Sequence, residues 1–420
     1  MGIEENGEDS TLPLWINFEF LTEVISQHLN KDISVTDFSL KRALPKGENY
    51  LSILYRVAVE YKEKEANGTE KYYLIIKSLP EGELMQKILS EMKGFQKESY
   101  MYTNVLPTMY RILKSAKIPI KPFSARCFPC TRENVIVMED LKFLDYKMQM
   151  RLKGLDLEHC TLAVRALARF HAVSIALYKS DPSIKEIYDE GLYKDRKDEE
   201  KSEQAKNFTE NSINSLASVV ETWQGYEKYG EKLRKLVPNC RERMIEIVKP
   251  KKDALNVLNH GDFWVNNMLF RYCPETGKVE DVKFVDFQIG RFSSPALDLQ
   301  YFMCNCPNDE VRFKHRDTLL EEYYSEFADY CKALHLESEL ISLEELKEEF
   351  EEKNYFGLIT ACSVLCLILA QGDEVPETKE LKEEDRQSGE NILTKNAVSG
   401  KRYREIFQRL LVYYEEKGVL

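Results

Sequence analysis

The chain has 420 residues, of which 43% are hydrophobic and 31% are charged, and a formal net charge of −12. This composition is typical of a soluble globular protein, and the length suits two or three domains or one two-lobed enzyme. The acidic balance argues against nucleic-acid and anionic-membrane partners, which need a basic surface, but it does not exclude phosphate ligands.

Targeting signals and cysteine usage predict a cytoplasmic protein. The N-terminal segment MGIEENGEDSTLPLW lacks the basic start and apolar run of a secretory signal. The most apolar run, residues 355–370, is shorter than the ~20 residues of a membrane span, so a buried helix is predicted there. Ten scattered cysteines, with one CxxC at Cys127 and Cys130, favour free thiols over a zinc site.

The first third of the chain is predicted to be β-rich with one long helix. Residues 50–64 alternate in polarity and are rich in β-branched and aromatic residues, which indicates a strand. The Asn-Gly pair in EANGTE favours a hairpin turn into a second strand, KYYLIIKSLP. Apolar residues at helical spacing predict a helix from about Leu84 to Leu106, and residues 134–141 predict a third strand.

Beyond Leu141 the pattern becomes mainly helical. Residues 155–180 predict one amphipathic helix, and the charged segment 181–215 predicts a solvated helical insertion or a disordered loop. The segments MLFRY and VEDVKFVDF, joined by a turn, predict a hairpin, and the final hundred residues are predicted to be helical again.

The expected fold class is α+β with two lobes. A small β-rich N-terminal lobe is predicted at residues 1–138, a hinge at 139–141 and a large, mainly helical lobe at 142–420. Ligands favour the cleft between two lobes, so residues that carry chemistry are expected there.

The segment LNHGDFWVNNMLF, residues 258–270, places an acid and two amides between apolar flanks. Polar groups near a core must be hydrogen-bonded, bound to a metal or chemically active, because unpaired burial is costly. A tight turn alone would also explain Gly261, Asp262 and Asn266. The rest of the chain must therefore decide between a turn and a site.

The spacing around Asp262 favours a phosphotransferase site. Asp262 lies five residues before Asn267, and Asp286 ends the strand that follows the predicted hairpin. This spacing matches the catalytic loop and the metal-binding aspartate of kinases, with His-Gly-Asp for His-Arg-Asp and Asp-Phe-Gln for Asp-Phe-Gly. Transfer of a γ-phosphoryl group needs a carboxylate that accepts the proton of the attacking hydroxyl, and oxygen ligands for magnesium.

Three upstream features occupy the places that such a site requires. Lys77 ends the strand LIIK, where a lysine reaches phosphates, and Glu98 follows 21 residues later on the long helix. Residues 45–52, PKGENYLS, precede a strand and could cover the phosphates, although they contain one glycine where protein kinases have three. Each feature alone could be a solvated charge or an ordinary loop, but their order along the chain is that of a kinase.

The chain resembles the insect ecdysteroid kinase-like family, within the aminoglycoside phosphotransferase and choline kinase superfamily. The resemblance covers about residue 40 to the C-terminus and implies a protein-kinase-like fold. It is carried by GENYLSILYRV (47–57), LIIKSLP (74–80), FQKESYMY (95–102), VIVMEDL (135–141), LARFHAVS (167–174), HGDFWVNNMLF (260–270) and VDFQIGRFSSPALDLQYF (285–302).

The resemblance implies a role for each residue of the catalytic segment. Asp262 would be the catalytic base, and Asn267 and Asp286 would hold Mg²⁺. Lys77 and Glu98 would form the ion pair that positions the phosphates of ATP.

Further roles follow from the same resemblance. Asn49 and Ser52 in the loop before the strand, and the backbone groups of Glu139 and Leu141 in the hinge, would bind the nucleotide. Among the supporting residues, Asp298 would brace the catalytic loop from below, and two histidines would be structural, His171 and His260. Trp264 would either line the acceptor pocket or pack in the core.

The resulting hypothesis is a kinase that uses ATP and Mg²⁺ to phosphorylate a hydroxyl of a small molecule, an ecdysteroid or another lipophilic compound. A protein kinase would need an activation segment closed by Ala-Pro-Glu roughly 20 to 30 residues after the metal aspartate, whereas QIGRFSSPALDL follows Asp286 closely. A catalytically inactive binding protein of the same fold is the other alternative. No obligate protein partner is predicted.

Overall fold

The computed structural model of the chain describes residues 12–43, 52–64, 68–79, 93–188, 193, 199–374 and 396–420. The chain divides into two units. The first comprises Met1–Glu91 and Ala125–Leu144, and the second comprises Met92–Ser124 and Asp145–Leu420. The predicted lobe boundaries at residues 138 and 141 stay predictions.

The first unit is β-rich. Its described elements are α1 (Phe18–Leu29), β1 (Ile33–Arg42), β2 (Ile53–Glu63), β3 (Glu70–Ser78), β4 (Cys127–Phe128), β5 (Val135–Glu139) and a 3₁₀ turn (Leu141–Leu144). The strands form one antiparallel sheet in the order β1-β2-β3-β5-β4. The three strands predicted in this region are confirmed as β2, β3 and β5.

Strand β2 shows why this segment is extended. Every second residue is buried, and the residues between them are more exposed. The buried residues are Tyr55, Val57, Val59 and Tyr61. Because successive side chains of a strand point to opposite faces, this alternation turns one face of the sheet towards the core of the unit. Helix α1 contributes its buried Leu21, Val24 and Ile25 to the same core.

The described part of the second unit begins with a long helix that contains a π-helical turn. Helix α2 (Gly94–Tyr100), the π-helical segment Met101–Val105 and α3 (Leu106–Ser115) follow one another without a break. The predicted helix is confirmed in type, but its predicted end at Leu106 is wrong, and residues 84–92 lie outside the described residues. The helix continues because the wider π turn precedes Pro107, which has no N–H for an α-helical bond.

The other elements of the second unit are mainly helices. In chain order they are β6 (Lys147–Met148), α4 (Leu157–Ser180), α5 (Ile184–Tyr188), α6 (Glu199–Val220), α7 (Glu227–Leu236), α8 (Cys240–Val248), β7 (Val257–Asn259), β8 (Met268–Tyr272), β9 (Val279–Phe284), β10 (Arg291–Ser293), α9 (Ala296–Asn305), α10 (Asp309–Lys314), α11 (Arg316–Ala333), α12 (Leu343–Glu352), α13 (Asn354–Ser363), α14 (Leu365–Leu369) and α15 (Lys401–Glu416). A β-rich unit and a mainly helical unit confirm the predicted α+β class.

Two small antiparallel sheets flank the predicted catalytic segment, residues 258–270. Strands β8 and β9 form the predicted hairpin, which β6 extends, and β7 pairs with β10. At the open end of the hairpin, the backbone N–H of Val285 donates to the carbonyl of Asn267 at 3.0 Å. This bond brings the residue before β8 next to the residues after β9, so Asn267 and Asp286 are held at one end of the hairpin.

Helix α4 is long and apolar enough to cross a membrane by length and composition alone. Its most apolar 18-residue window has a mean hydropathy of 1.4, and 78% of that window is buried within the protein. The helix packs against α11, and the side chain of Asp156 caps its first turn. Burial in the core of the second unit therefore accounts for its apolar composition.

Two predictions for the helical region need correction. The apolar run at 355–370 is buried as predicted, but it forms two helices, α13 and α14, instead of one. In the described part of segment 181–215, helices α5 and α6 confirm the helical prediction, but Ile184, Tyr188 and Ile213 are buried, so this part is not only solvated. Residues 189–192 and 194–198 lie outside the described residues. These few apolar residues anchor the two described helices, although the composition of the segment is otherwise highly charged.

Candidate active site

The loop after β7 carries the predicted catalytic residues. Strand β7 ends at Asn259, and His260, Gly261 and Asp262 follow directly, before a 3₁₀ turn (Val265–Asn267) leads into β8. The side-chain amide of Asn259 donates to the carbonyl of Ser293 in β10 at 3.1 Å. The start of the loop is therefore fixed to the neighbouring strand.

Asp298, buried in the first turn of α9, holds the backbone of this loop. Its Oδ2 accepts the backbone N–H of His260 at 2.6 Å, and its Oδ1 accepts the N–H of Gly261 at 2.9 Å. Its Oδ2 also accepts from Nε2 of His171 at 3.2 Å, while Nδ1 of His171 accepts from the Tyr323 hydroxyl at 2.8 Å. Because one carboxylate binds two successive backbone N–H groups, it ties the loop to α9. This is the geometry that the predicted bracing role of Asp298 requires.

His260 links the loop to the end of β9. Its Nε2 donates to the carbonyl of Val285 at 3.0 Å, and its Nδ1 accepts the backbone N–H of Asp262 at 3.3 Å. One donor and one acceptor are the pattern of a neutral imidazole. Burial lowers the pKa of His260 and of His171, which favours the neutral form of both rings. Both nitrogens of each ring are thus occupied by structural hydrogen bonds.

Gly261 is required by a close approach between two backbone segments. Its φ is +83°, in the left-handed region, and a Cβ at this position would lie 2.2 Å from the carbonyl oxygen of Ile289. That distance is far below van der Waals contact, and the obstacle is backbone rather than a movable side chain. The glycine of the His-Gly-Asp triplet therefore lets the loop pack against the segment after Asp286.

We expect Gly261→Ala to destabilise the second unit by about 3 kcal/mol or more, because left-handed strain of ~1–2 kcal/mol adds to a backbone clash. Denaturant unfolding measures the loss. Gly277→Ala is the matched control, because Gly277 has φ +68° in the β8–β9 turn with no atom near its Cβ position. Equal losses for the two variants would contradict the close approach.

The Asp262 carboxylate accepts two side-chain hydrogen bonds, and a third donor lies nearby. The hydroxyl of Tyr301 donates to Oδ1 at 2.7 Å, the amide of Asn267 donates to Oδ2 at 2.9 Å, and the indole N–H of Trp264 also faces the carboxylate. Burial and then the negative charge of Asp286 raise the pKa of the Asp262 carboxyl to about 6. The three donors oppose this rise because they stabilise the charged form.

The residues predicted to bind magnesium suit a hard cation. The amide nitrogen of Asn267 donates to both the carbonyl and Oδ2 of Asp262, at 2.9 Å each, which leaves the amide oxygen of Asn267 as its metal-binding atom. Asp286 has φ +68°, a left-handed conformation that is rare outside glycine and is often found at functional sites. Asp286 also lies close enough to Asp262 for the two charges to interact.

Within the described ranges, no cluster of three or more His, Cys, Asp or Glu side chains could hold a metal ion by itself. Magnesium does not need such a cluster, because proteins usually bind it through one or two carboxylates together with substrate phosphates. The amide oxygen of Asn267 and the carboxylate of Asp286 fit that kind of site. Their role as ligands stays a prediction.

The first unit contains most of the predicted nucleotide-binding residues. Lys77 lies near the end of β3, between β2 and β5, and is buried, as is Ser52 just before β2. Glu139 ends β5, and Leu141 begins the 3₁₀ turn that follows. Asn49 lies outside the described residues. The nucleotide-binding roles of these residues stay predictions.

Glu98, the predicted partner of Lys77, lies in α2 of the second unit and is buried. The ion pair between them stays a prediction.

In the first unit, Asp140 is a buried residue for which the sequence patterns predict no role. It forms a salt bridge with Arg56, and its backbone N–H donates to the carbonyl of Tyr73 at 2.8 Å. Asp140 therefore fixes the segment between the two predicted hinge residues to the sheet.

Sequence patterns also miss the contact between Tyr301 and Asp262. Tyr301 lies three residues after Asp298 in α9, so both side chains lie on the same face of that helix. Once Asp298 is placed beneath the catalytic loop, this spacing is the one sequence signal that points to Tyr301. The indole contact of Trp264 places it beside Asp262, and Trp264 also packs against the core of the second unit.

A model of the ecdysteroid kinase-like family matches residues 46–336, which include the predicted catalytic loop, Asp286 and Asp298. The chain belongs to the ecdysteroid kinase-like family. Membership confirms the predicted family and the kinase-like α+β fold, and it implies a kinase-like phosphotransferase that acts on a small molecule. No curated protein matches the sequence significantly.

Proposed function

We propose that the protein transfers the γ-phosphoryl group of ATP to a hydroxyl of a lipophilic small molecule, such as an ecdysteroid. The observation that carries the proposal is the environment of Asp262. Its carboxylate is fixed at both oxygens, lies beside Asp286, and belongs to a loop that Asp298 holds rigidly. A positioned carboxylate next to a metal-binding aspartate is what this reaction needs from a protein.

Each residue of the site has one task in this proposal. Asp262 orients the acceptor hydroxyl and accepts its proton, and its raised pKa makes it a stronger base than an exposed aspartate. Asn267 and Asp286 hold magnesium, and Lys77 and Glu98 position the nucleotide. When bound, magnesium and ATP supply charge neutralisation and the phosphoryl group.

A small acceptor is favoured over a protein substrate by the segment after Asp286. Strand β10 begins at Arg291 and helix α9 at Ala296, so nine residues lie between Asp286 and the start of α9. This segment is folded into β10 and is too short for the activation segment of a protein kinase. Since the chain has a net charge of −12, a neutral or cationic acceptor suits it better than an anionic one.

A cytoplasmic location is part of the same proposal. All ten cysteines are free, which suits a reducing compartment.

A screen of hydroxylated small molecules for phosphate incorporation from labelled ATP tests the proposed function. We expect magnesium-dependent labelling of at least one lipophilic alcohol, with ecdysteroids in the first panel. Asp262→Asn is the control for a contaminating kinase, because only labelling by this protein would disappear. Nucleotide binding without labelling of any acceptor, and without ATP hydrolysis, would favour the inactive binding protein instead.

A further inference from the structure

The hydroxyl of Tyr301 reaches the Asp262 carboxylate from a buried position. Tyr301 is only 7% exposed, and its ring packs in a hydrophobic core cluster of the second unit. Its hydroxyl donates to Oδ1 of Asp262 at 2.7 Å. Burial and the neighbouring carboxylate raise the pKa of Tyr301, so the hydroxyl stays protonated and acts as a donor.

Helix α9 thus contacts the catalytic loop at two points that differ in kind. Asp298 binds the backbone N–H groups of His260 and Gly261, whereas Tyr301, one helical turn further on, binds the side chain of Asp262. The first contact fixes where the loop lies. The second fixes how one carboxylate is oriented.

The orientation of this carboxylate needs a dedicated contact. The terminal torsion of an aspartate is broad, so backbone placement alone does not fix the carboxylate plane. The nearby charge of Asp286 also favours rotation of the Asp262 carboxylate away from the site, because like charges repel. Asn267 donates to Oδ2 and the Trp264 indole also faces the carboxylate, but Oδ1 still needs a donor of its own before the carboxylate plane is fixed. A donor on Oδ1 removes the remaining freedom of rotation.

We propose that Tyr301 is a positioning residue for phosphoryl transfer, which holds the Asp262 carboxylate in the orientation that receives the acceptor hydroxyl. The proposal rests on the proposed function. The alternative is that the buried Tyr301 hydroxyl only needs a hydrogen-bond acceptor and that Asp262 is the nearest one, since buried tyrosines usually find such a partner. The two differ in what removal of the hydroxyl changes.

Tyr301→Phe keeps the buried ring and removes only the donor. We expect kcat to fall about tenfold or more, since small misplacements of a reacting group cost large factors in rate. The KM for ATP should stay within error of the original protein. The variant should remain folded at the assay temperature, although loss of a hydrogen bond to a buried carboxylate lowers its thermal unfolding temperature. Tyr403→Phe is the matched control, because Tyr403 is also buried in the second unit and its hydroxyl donates to the carbonyl of Ala361 at 3.2 Å. We expect that variant to leave kcat unchanged.

Crystal structures of the original protein and of Tyr301→Phe supply a readout that does not depend on activity. We expect the Asp262 carboxylate to rotate or to occupy more than one position in the variant, while the backbone of residues 260–262 is unchanged. An unchanged carboxylate, or an unchanged kcat in an active enzyme, overturns the proposal. If the carboxylate rotates in the variant but the original protein has no transferase activity, the result supports the orienting role of Tyr301 and refutes the proposed function.

Discussion

Asp262→Asn should lower turnover by about 10² or more, the usual scale for a positioned acid–base group, while nucleotide binding survives. Asparagine keeps the size and an oxygen that can accept from Tyr301, so the loop should stay in place. It cannot accept a proton from the acceptor hydroxyl. Initial rates of phosphoryl transfer measure the loss, and nucleotide titration by calorimetry measures what remains.

The control for this variant is Asp317→Asn, which removes an exposed carboxylate in the first turn of α11. It changes the net charge by the same amount but should leave turnover unchanged. Near-normal turnover of Asp262→Asn would remove Asp262 from the role of base. An equal loss in both variants would point to a general effect of charge.

The same substitution should stabilise the metal-free protein above about pH 4. The folded pKa of Asp262, about 6, lies above its ordinary value of 3.8, so the folded protein binds this proton more tightly than the unfolded chain. Its contribution therefore weakens the fold as pH rises from about 4 to 6, and the cost at neutral pH is on the order of 3 kcal/mol. Unfolding of both proteins at pH 4 and pH 7 should show the gain for Asp262→Asn only at pH 7.

The proximity of Asp262, Asn267 and Asp286 could be predicted, because the three residues are close in sequence and their types suit phosphoryl transfer. Asp262 and Asn267 lie in one loop, and a single hairpin connects that loop to Asp286. A hairpin pattern is readable from alternating residues and a turn, so the proximity of all three follows without knowledge of distant contacts. The strands β2, β3 and β5 were predictable for the same reason.

Other features depend on contacts that no local pattern contains. Gly261 looks like an ordinary turn residue until the backbone of Ile289 is seen against it. Tyr301 looks like one more apolar residue of a buried helix until its hydroxyl is found on Asp262. No sequence pattern predicted helix α1 or strand β1. A proline usually interrupts a helix, but the π turn before Pro107 lets this helix continue. Tertiary packing decides each of these cases.

Removal of the Asp286 carboxylate should damage turnover and magnesium-dependent nucleotide affinity together. This is the second large effect that we expect, because a metal ligand acts both on the bound nucleotide and on the charge that develops during transfer. Affinity should fall by roughly 10- to 100-fold, at least the loss typical of changes around a bound metal. Titration of the nucleotide with and without magnesium measures it, and the difference between the two conditions should shrink.

The choice of substitution matters because Asp286 has a left-handed backbone. Asp286→Ala removes the carboxylate but also adds strain, whereas Asp286→Asn removes the charge at a residue type that tolerates this conformation. Asp286→Ala should lose more affinity than Asp286→Asn, because the amide oxygen of asparagine remains a neutral, weaker ligand for magnesium. Only Asp286→Ala should also lose thermal stability. Glu280→Gln, on the exposed side of β9, controls for the lost charge. If Asp286→Ala bound the nucleotide with its original magnesium dependence, Asp286 would not be a metal ligand, and its strained conformation would need a different explanation.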